Sequence, residues 1–410
     1  MQHLFAISLL LTAAAMTGAE PVVIHCPEEP PLVRRLQLQE RWRIDPDDED
    51  APLLSWFDQR HLATDGQHLY MLDAQLCQVL IFDGDGHHLD TIMGEGDGPG
   101  EVRGPASLAL LSSGDLAVVH GYPSRLEIVT PDGTPRQRWQ LGCNAWVGTI
   151  HETPLGWFIR YHESRESGDP GTYVSVEHVA YHDDDGQRSI VLHEDSHERR
   201  HGADATRDEA DEYSLWNAVI PVQAGGVVRA PNRDEYRLEW FSPQGDLLRV
   251  VTRPFTAHRR TDDEMNEHRH SSYSIVNDEV IFHERELCDH DAMIRFLREL
   301  PDGSLRVRTS LFNKDLPDGM VCRYEVHEAA GQLRERVEIM DPTGTFDHRY
   351  DALGLLDDGR AVILRNLLAA FRATYDARTH PDLLAVLPPA PDDRADVAFV
   401  PIVCDLVAAP

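Results

Sequence analysis

The segment of the chain with the most obvious chemistry is HEDSHERRH, which contains the zinc-protease pattern HExxH as His193, Glu194 and His197. On a helix the two histidines would share one face and bind zinc, while the glutamate would act as general base. Such a helix must pack an apolar face into a core, yet the residues that follow, as far as Arg207, carry almost no apolar side chain. We therefore interpret the segment as a solvated loop insertion and predict that it is not a functional zinc site.

A second candidate is the glycine-rich segment GEGDGPGEVRGP at residues 94–105, because glycine-rich loops can cradle phosphate groups. A dinucleotide-binding loop needs glycines at positions 1, 3 and 6 before a helix, and no frame of this segment provides them. The carboxylates of Glu95, Asp97 and Glu101 would also repel phosphate. The residues that follow, ASLALL and SSGDLAVVH, predict a strand, a turn and a strand. The segment is therefore predicted to be a connector between strands.

Other patterns that could carry chemistry are incomplete. The Asp-Gly segments DGDG and DDDG do not fit the calcium-loop pattern, and Asp and Gly favour tight turns for conformational reasons alone. The nucleophile pattern GxSxG is absent, and no Ser or Cys stands in a recognisable nucleophile setting. The sequence therefore predicts no cofactor and no identifiable catalytic residue. A divalent metal, calcium or zinc, remains an alternative for a site assembled from distant segments.

The overall charge limits the partners. The 410 residues carry a formal net charge of −32, and Lys314 is the only lysine. A surface this acidic repels nucleic acid and anionic membranes. The composition therefore excludes nucleic-acid binding and indicates a soluble acidic protein.

The first residues indicate export. Residues 1–19 contain an apolar run from Leu4 to Leu11 and then small residues ending in Thr17-Gly18-Ala19, which is typical of a secretory signal peptide. We expect a linker at residues 20–35, and a periplasmic or extracellular location. No other segment is long and apolar enough to form a transmembrane segment.

Six cysteines follow the expected signal peptide, and none of their spacings is CxxC. In an oxidising compartment an even number permits disulfides, and buried free thiols are the alternative. A disulfide between Cys26 and Cys404 would tie the two ends of the chain together.

A repeat organises the rest of the chain. Short β-type runs flank a glycine turn at Gly66, Gly114, Gly156, Gly225-Gly226, Gly303 and Gly359. A second hairpin turn follows five of these, at Gly86, Gly133, Gly186, Gly245 and Gly331. Each pair of hairpins predicts a four-stranded antiparallel meander.

Four-stranded meanders repeated around an axis are the blades of a β-propeller, and six first hairpins predict six blades. The last set lacks a strand, whereas LQLQERWRI at residues 36–44 has no partner of its own. We expect this N-terminal strand to close the last blade, which would cover both strand edges. The predicted fold class is therefore all-β, with one six-bladed propeller domain at residues 36–410.

Charged insertions interrupt this domain near residues 194–213 and 256–291. In the second insertion, Thr261 followed by Asp262, Asp263 and Glu264 is typical of a helix start with an N-cap and acids in the first turn. This helix would lie either as a lid over one face or as a solvated helix on the rim.

Two segments resemble exported six-bladed β-propellers related to the NHL-repeat and TolB-like groups. The connector is similar to their GxGPGEF…P segment, with Val102 in place of the usual aromatic residue; its matching residues are Gly96, Gly98, Pro99, Gly100, Glu101 and Pro105. The run HDAMIRFLRELPDGSLRVRTS is similar to a strand pair of their later blades, with Arg306 in place of a Trp. The resemblance implies the propeller architecture and a structural role for the connector residues, but no single function, because propellers include lyases, lactonases and binding modules.

We therefore interpret the chain as an exported, monomeric binding or interaction module. Its ligand would be a protein, a peptide or a small molecule at the mouth of the central channel. The alternative is a metal-dependent hydrolase or lyase, in which Asp, Glu, Asn or His side chains from several blades hold one axial ion.

Overall fold

A computed structural model describes residues 20–46, 48–55, 57, 59–121, 124–140, 145–169, 172–182, 189–200, 207–210, 213, 218–269, 273–276, 279–368 and 399–409. The expected signal peptide lies outside these residues. Among the described residues, no helix is long and apolar enough to cross a membrane.

Antiparallel meanders dominate the described chain, preceded by strands β1 (Val22–His25) and β2 (Val33–Arg43). Meander A contains β3 (Leu62–Thr64), β4 (Leu69–Asp73), β5 (Gln78–Phe82) and β6 (His88–Ile92). Meander B contains β7 (Ser107–Leu110), β8 (Leu116–His120), β9 (Arg125–Val129) and β10 (Pro135–Gln140). Meander C contains β11 (Ala145–Thr153), β12 (Gly156–Glu166), β13 (Thr172–His182) and β14 (Ser189–Arg200).

The second half of the chain continues the pattern after a short strand, β15 (Arg207–Asp208). Meander D contains β16 (Val219–Pro221), β17 (Val227–Arg229), β18 (Arg237–Phe241) and β19 (Leu247–Thr252). An insertion follows with helix α1 (Asp262–Arg269) and strands β20 (Tyr273–Val276), β21 (Glu279–Phe282) and β22 (Arg285–Glu286). Meander E contains β23 (Ile294–Glu299), β24 (Leu305–Thr309), β25 (Met320–His327) and β26 (Leu333–Met340). Meander F contains β27 (Ala352–Leu355), β28 (Arg360–Arg365) and β29 (Val400–Ala408), with β2 as its fourth strand.

The described hairpin glycines have the backbone conformation that the turn pattern predicts. Gly226 shows why a glycine is required at such a turn. Its φ is +91°, and a Cβ atom there would lie 2.0 Å from the carbonyl oxygen of Phe241. Any other residue would be strained and would also clash with the neighbouring strand.

The second strand of a meander is buried on both faces. In β4, Leu69 and Met71 pack toward meander F, whereas Tyr70 and Leu72 pack toward meander B. Alternate side chains point to opposite faces of a strand, so an element covered on both sides needs a continuous apolar run. The sequence LYMLD satisfies this requirement.

Hydrophobic clusters lie between consecutive meanders and hold them together. They join A to B, B to C, C to D and E, and E to F. A further cluster joins F back to A. The packing of the described residues therefore returns from the last meander to the first.

The N-terminal strand β2 completes this arrangement. It pairs antiparallel with β29, from Leu36 opposite Ala408 to Arg43 opposite Ile402. Its first half also pairs in parallel with β26 of meander E. The strand therefore supplies the outermost strand of meander F and links this meander to its neighbour.

The chain ends are held by strand pairing instead of a disulfide. Cys26 and Cys404 are buried free thiols that belong to different hydrophobic clusters, so the disulfide suggested above does not form. Within the segment that the sequence analysis assigns to a linker, β1 pairs in parallel with β19. Cys143 lies outside the described residues.

The connector at residues 94–105 runs from β6, the outermost strand of meander A, to β7, the first strand of meander B. It folds around Glu101, whose Oε2 accepts a 2.6 Å hydrogen bond from the backbone N–H of Gly98. A Cβ atom on Gly96 would lie 2.0 Å from the same oxygen. Arg125 of β9 donates from Nη2 to the carbonyl oxygens of Gly96 and Glu101, each at 3.2 Å. The connector is thus fastened to meander B by a buried guanidinium.

The two charged insertions contact each other. Strand β15 pairs in parallel with β22, and Arg260 donates from Nη1 and Nη2 to the carboxylate of Glu209 at 2.7 and 2.6 Å. Helix α1 begins as expected, because Thr261 Oγ1 accepts from the backbone N–H of Glu264 while Glu264 Oε2 accepts from that of Thr261. The helix has no buried residue, which favours the solvated helix over a packed lid.

We predict that Glu209→Gln destabilises the junction of the insertions in a pH-dependent way. Burial alone would raise the pKa of Glu209, but its hydrogen bonds with Arg260 and the backbone of Cys288 outweigh burial and lower the pKa to about 2. Its ionised form therefore stabilises the fold above pH ~4.5, and this contribution is lost as the pH falls toward ~2. Urea unfolding should show a loss of about 2–3 kcal/mol at pH 7 and a smaller loss at pH 3.

The matched control for this prediction is Glu286→Gln, because Glu286 is exposed on the neighbouring strand β22. It should leave the free energy of unfolding unchanged within about 0.5 kcal/mol. An equal destabilisation by Glu209→Gln at both pH values would contradict the assigned ionisation.

Candidate functional site

The first strands of the meanders surround one cavity. Its volume is about 340 Å³, and residues of β3, β7, β11, β16, β23 and β27 line it. Ligand pockets commonly have volumes of about 300–1,000 Å³. The cavity is the place in the described fold where all the meanders contribute side chains to one site.

Arginines dominate the charged lining of this cavity. They are Arg60, Arg160, Arg298, Arg306 and Arg308, and the lining carboxylates are Glu152 and Asp357. Both carboxylates have protein partners: Glu152 accepts from the backbone N–H of Ser112 at 2.6 Å, and Asp357 accepts from Arg298 at 3.1 Å. The cavity is therefore positive, although the chain as a whole carries a net charge of −32.

Three of these arginines lie on second strands. Arg160 on β12 pairs with Thr149 across the meander and donates to its Oγ1 from Nε at 3.0 Å and from Nη2 at 2.6 Å. Arg306 and Arg308 alternate on β24 with Leu305 and Val307, which enter the core cluster shared with meander D. Strand alternation therefore directs the two arginines to the opposite face, toward meander F.

Arg306 is the most distinctive member of the group. The residue is only 6% exposed, and its polar partner among the described residues is the carbonyl oxygen of Leu355, 3.4 Å from Nη1. Its Nε makes no hydrogen bond within the described structure, and its guanidinium lies 5.3 Å from the ring centroid of Tyr324. A buried cation normally has an anionic partner, because desolvation of an uncompensated charge is costly.

Arg308 lies next to it between two aromatic rings. Its guanidinium carbon is 4.9 Å from the ring centroid of Phe296 and 4.4 Å from that of Phe312. Burial lowers the pKa of Arg308 to about 10 and that of Arg160 to about 9. Both guanidiniums therefore stay protonated at neutral pH.

His151 lines the same cavity from β11. Burial, followed by the positive charges of Arg298 and Arg160, lowers the pKa of His151 to about 3. The imidazole is therefore neutral at physiological pH and adds no positive charge. It can donate or accept one hydrogen bond toward a bound molecule.

The residues of the HExxH pattern lie on a strand. His193, Glu194 and His197 belong to β14, which corrects the expected loop insertion at this position. A strand rises about 3.3 Å per residue, so positions four apart are separated by about 13 Å along the chain, too far for two ligands of one zinc ion. Glu194 Oε2 lies 3.3 Å from Nδ1 of His178 on β13.

Metal-ligand groups are also not brought together elsewhere in the described chain. Among its residues, no group of three or more His, Cys, Asp or Glu side chains is arranged to hold one metal ion. The axial ion of the alternative function would need such a group. The charged side chains that converge on the cavity are chiefly arginines.

These arginines are not predicted as a site from the sequence. The sequence signal for these arginines is a second strand whose apolar run is interrupted by charged residues, as in GWFIRY and LRVRTS. Other meanders have LYMLD or LAVVH at this position. The approach of Arg306 to the cavity depends on the packing of meander E against meander F, which the sequence does not specify.

No protein-family model matches the chain, and no curated protein matches it. Similar solved structures include a Bacteroides fragilis protein that is described as an exported protein. Its TM-score is 0.47, and its identity is 11% over 94% of this chain and 99% of that one. A member of the DUF4221 family from Bacteroides vulgatus has TM-score 0.47 and 11% identity over 91% and 99%. The calcium-binding protein regucalcin from Agrobacterium tumefaciens has TM-score 0.40 and 10% identity over 92% and 98%.

Proposed function

We propose that this chain is an exported six-bladed β-propeller that acts as a binding module, with the cavity at its axis as the ligand site. The meanders A to F are its blades, and β2 closes the last of them. The domain spans residues 36–410 and acts as a monomer, and residues 1–19 direct its export.

The propeller interpretation is supported by the order of the hydrophobic clusters, which link each meander to the next and F to A. It is also supported by the pairing of β2 with β29, since a closed ring needs a connection between the first and last segments. The connector at residues 94–105 then carries the chain from the rim of one blade to the axis of the next.

The observation that carries the binding function is the cavity of about 340 Å³ lined by the first strands of all the meanders. Apolar side chains such as Leu108 and Ile150 lie beside a few convergent polar groups, which is the usual composition of a small-molecule pocket. Arginine guanidiniums bind and orient ligands, but they remain protonated and so do not serve as general bases. The lining therefore favours binding over hydrolysis or elimination.

The test is a thermal-unfolding screen with neutral sugars, amines, short peptides and organic acids. At least one class should raise the unfolding temperature of the wild type by about 2 °C or more, because a ligand of the folded state stabilises it by mass action. Ala109→Trp, which places an indole at the cavity wall, should abolish the response. The control Ala330→Trp, at an exposed turn, should retain it.

An equal response of the wild type and Ala109→Trp would contradict the cavity as the binding site. A wild type that responds to none of the classes would contradict the binding function itself.

A further inference from the structure

We propose that the axial cavity binds a small organic anion whose carboxylate or phosphate group is held by the arginines of β12 and β24. This inference rests on the proposed function and specifies its ligand class. The apolar part of the anion packs against the first strands.

The first argument is the distribution of charge. Five arginines line the cavity, and its two carboxylates already accept hydrogen bonds from Arg298 and from a backbone N–H. The acidic exterior repels anions, whereas the positive cavity attracts them. An anion small enough to enter the cavity is therefore favoured over a larger one that stays at the surface. The acidic exterior also disfavours extended polyanions such as nucleic acids.

The second argument is the burial of Arg306. It is 6% exposed, lines the cavity, and has one weak contact with a carbonyl oxygen together with a free Nε–H. Asp357 acts on Arg306 electrostatically, but this carboxylate is held in an ion pair by Arg298. An anion in the cavity would supply the acceptor that the described protein groups leave out.

The third argument is the chemistry of the guanidinium. Its planar fork donates two parallel hydrogen bonds, a geometry that matches carboxylate and phosphate groups. Arg308 is held between Phe296 and Phe312, so part of its ordering entropy is lost before a ligand arrives. Ile220, which also lines the cavity, offers apolar surface to the rest of the molecule.

A purely structural role for Arg306 makes a different prediction. If its contact with the carbonyl oxygen of Leu355 fastens meander E to meander F, Arg306→Met should lower the free energy of unfolding. If its charge serves to bind a ligand, the same substitution should leave the free energy of unfolding unchanged or raise it, because a buried uncompensated charge is removed. Ligand binding should be lost in the second case alone.

The experiment is isothermal titration of the full chain with 3-phenylpropanoate, its neutral isostere 3-phenylpropanamide, phenyl phosphate and inorganic phosphate. We expect the two aromatic anions to bind at least tenfold more tightly than the amide. The relative affinities of the two aromatic anions distinguish a carboxylate from a phosphate head group. The difference in affinity between phenyl phosphate and inorganic phosphate gives the contribution of the apolar part. Arg306→Met should weaken anion binding at least tenfold, whereas Arg136→Met, on the exposed strand β10, should not change it.

Equal binding of the amide and the carboxylate would overturn the anion inference and leave the proposed binding function intact. Anion binding that survives Arg306→Met would overturn the inference. If that variant also shows a clear loss of stability, Arg306 has a structural role instead. Binding of none of the four probes, in a protein that the thermal screen shows to bind another class, would reject the anion while retaining the cavity.

Discussion

A chain that lacks residues 20–44 should fail to show cooperative unfolding and should aggregate. These residues contain β2, which pairs with β29 on one side and with β26 on the other. Its removal leaves two strands with unpaired backbone N–H and C=O groups, and such edges recruit other chains.

The expected energetic loss is comparable to the whole stability of a domain. Leu38 and Trp42 of β2 are buried, and they belong to the clusters that join F to E and F to A. Truncation of a buried Leu costs about 2–5 kcal/mol and that of a buried Trp about 3–5 kcal/mol, whereas domains are stable by about 5–15 kcal/mol. The lost backbone pairing adds to these amounts.

The matched control is a chain that lacks only residues 20–31. It loses β1, a parallel edge strand on meander D, but keeps β2. We expect it to retain a cooperative urea transition. A peptide of residues 20–44 added to the longer deletion should restore part of the transition, and a longer deletion that unfolds like the control would show that β2 does not close the fold.

Replacing Arg253 by Met should destabilise the protein by about 3–5 kcal/mol, because it leaves a carboxylate buried without its cation. Arg253 Nη1 lies 2.5 Å from Glu325 Oε1, and the two side chains are 2% and 4% exposed. Tyr236 donates a 2.7 Å hydrogen bond to the other oxygen of Glu325. Together these side chains connect meander D to meander E.

A double substitution separates the loss of the pair from the cost of an isolated charge. Arg253→Met combined with Glu325→Gln should be less destabilised than Arg253→Met alone, since the amide oxygen still accepts from Tyr236 and no charge remains. The exposed pair of Arg43 and Glu40 provides the comparison, because Arg43→Met should cost less than about 1 kcal/mol. Urea unfolding at pH 7 measures all four proteins, and a double variant less stable than Arg253→Met would contradict this account.

Much of the local structure could be predicted from the sequence. The turns at glycines such as Gly66 and Gly303 are predictable because positive φ is a property of a single residue and its neighbours. The start of α1 at Thr261 is predictable for a similar reason, since its capping contacts span three residues. The HExxH pattern shows the limit of local prediction. It suggests a helix or a loop, whereas in the structure it lies on strand β14, which pairs along its length with β13.

The cavity and its charge were decided by the tertiary structure. Arg160 and Arg306 are far apart in sequence, and in its local sequence each only interrupts an apolar strand. They line one cavity because the meanders pack side by side and the packing returns from F to A. The sequence alone determined where the chain turns. Which charged side chains meet depends on distances between segments that local periodicity does not specify.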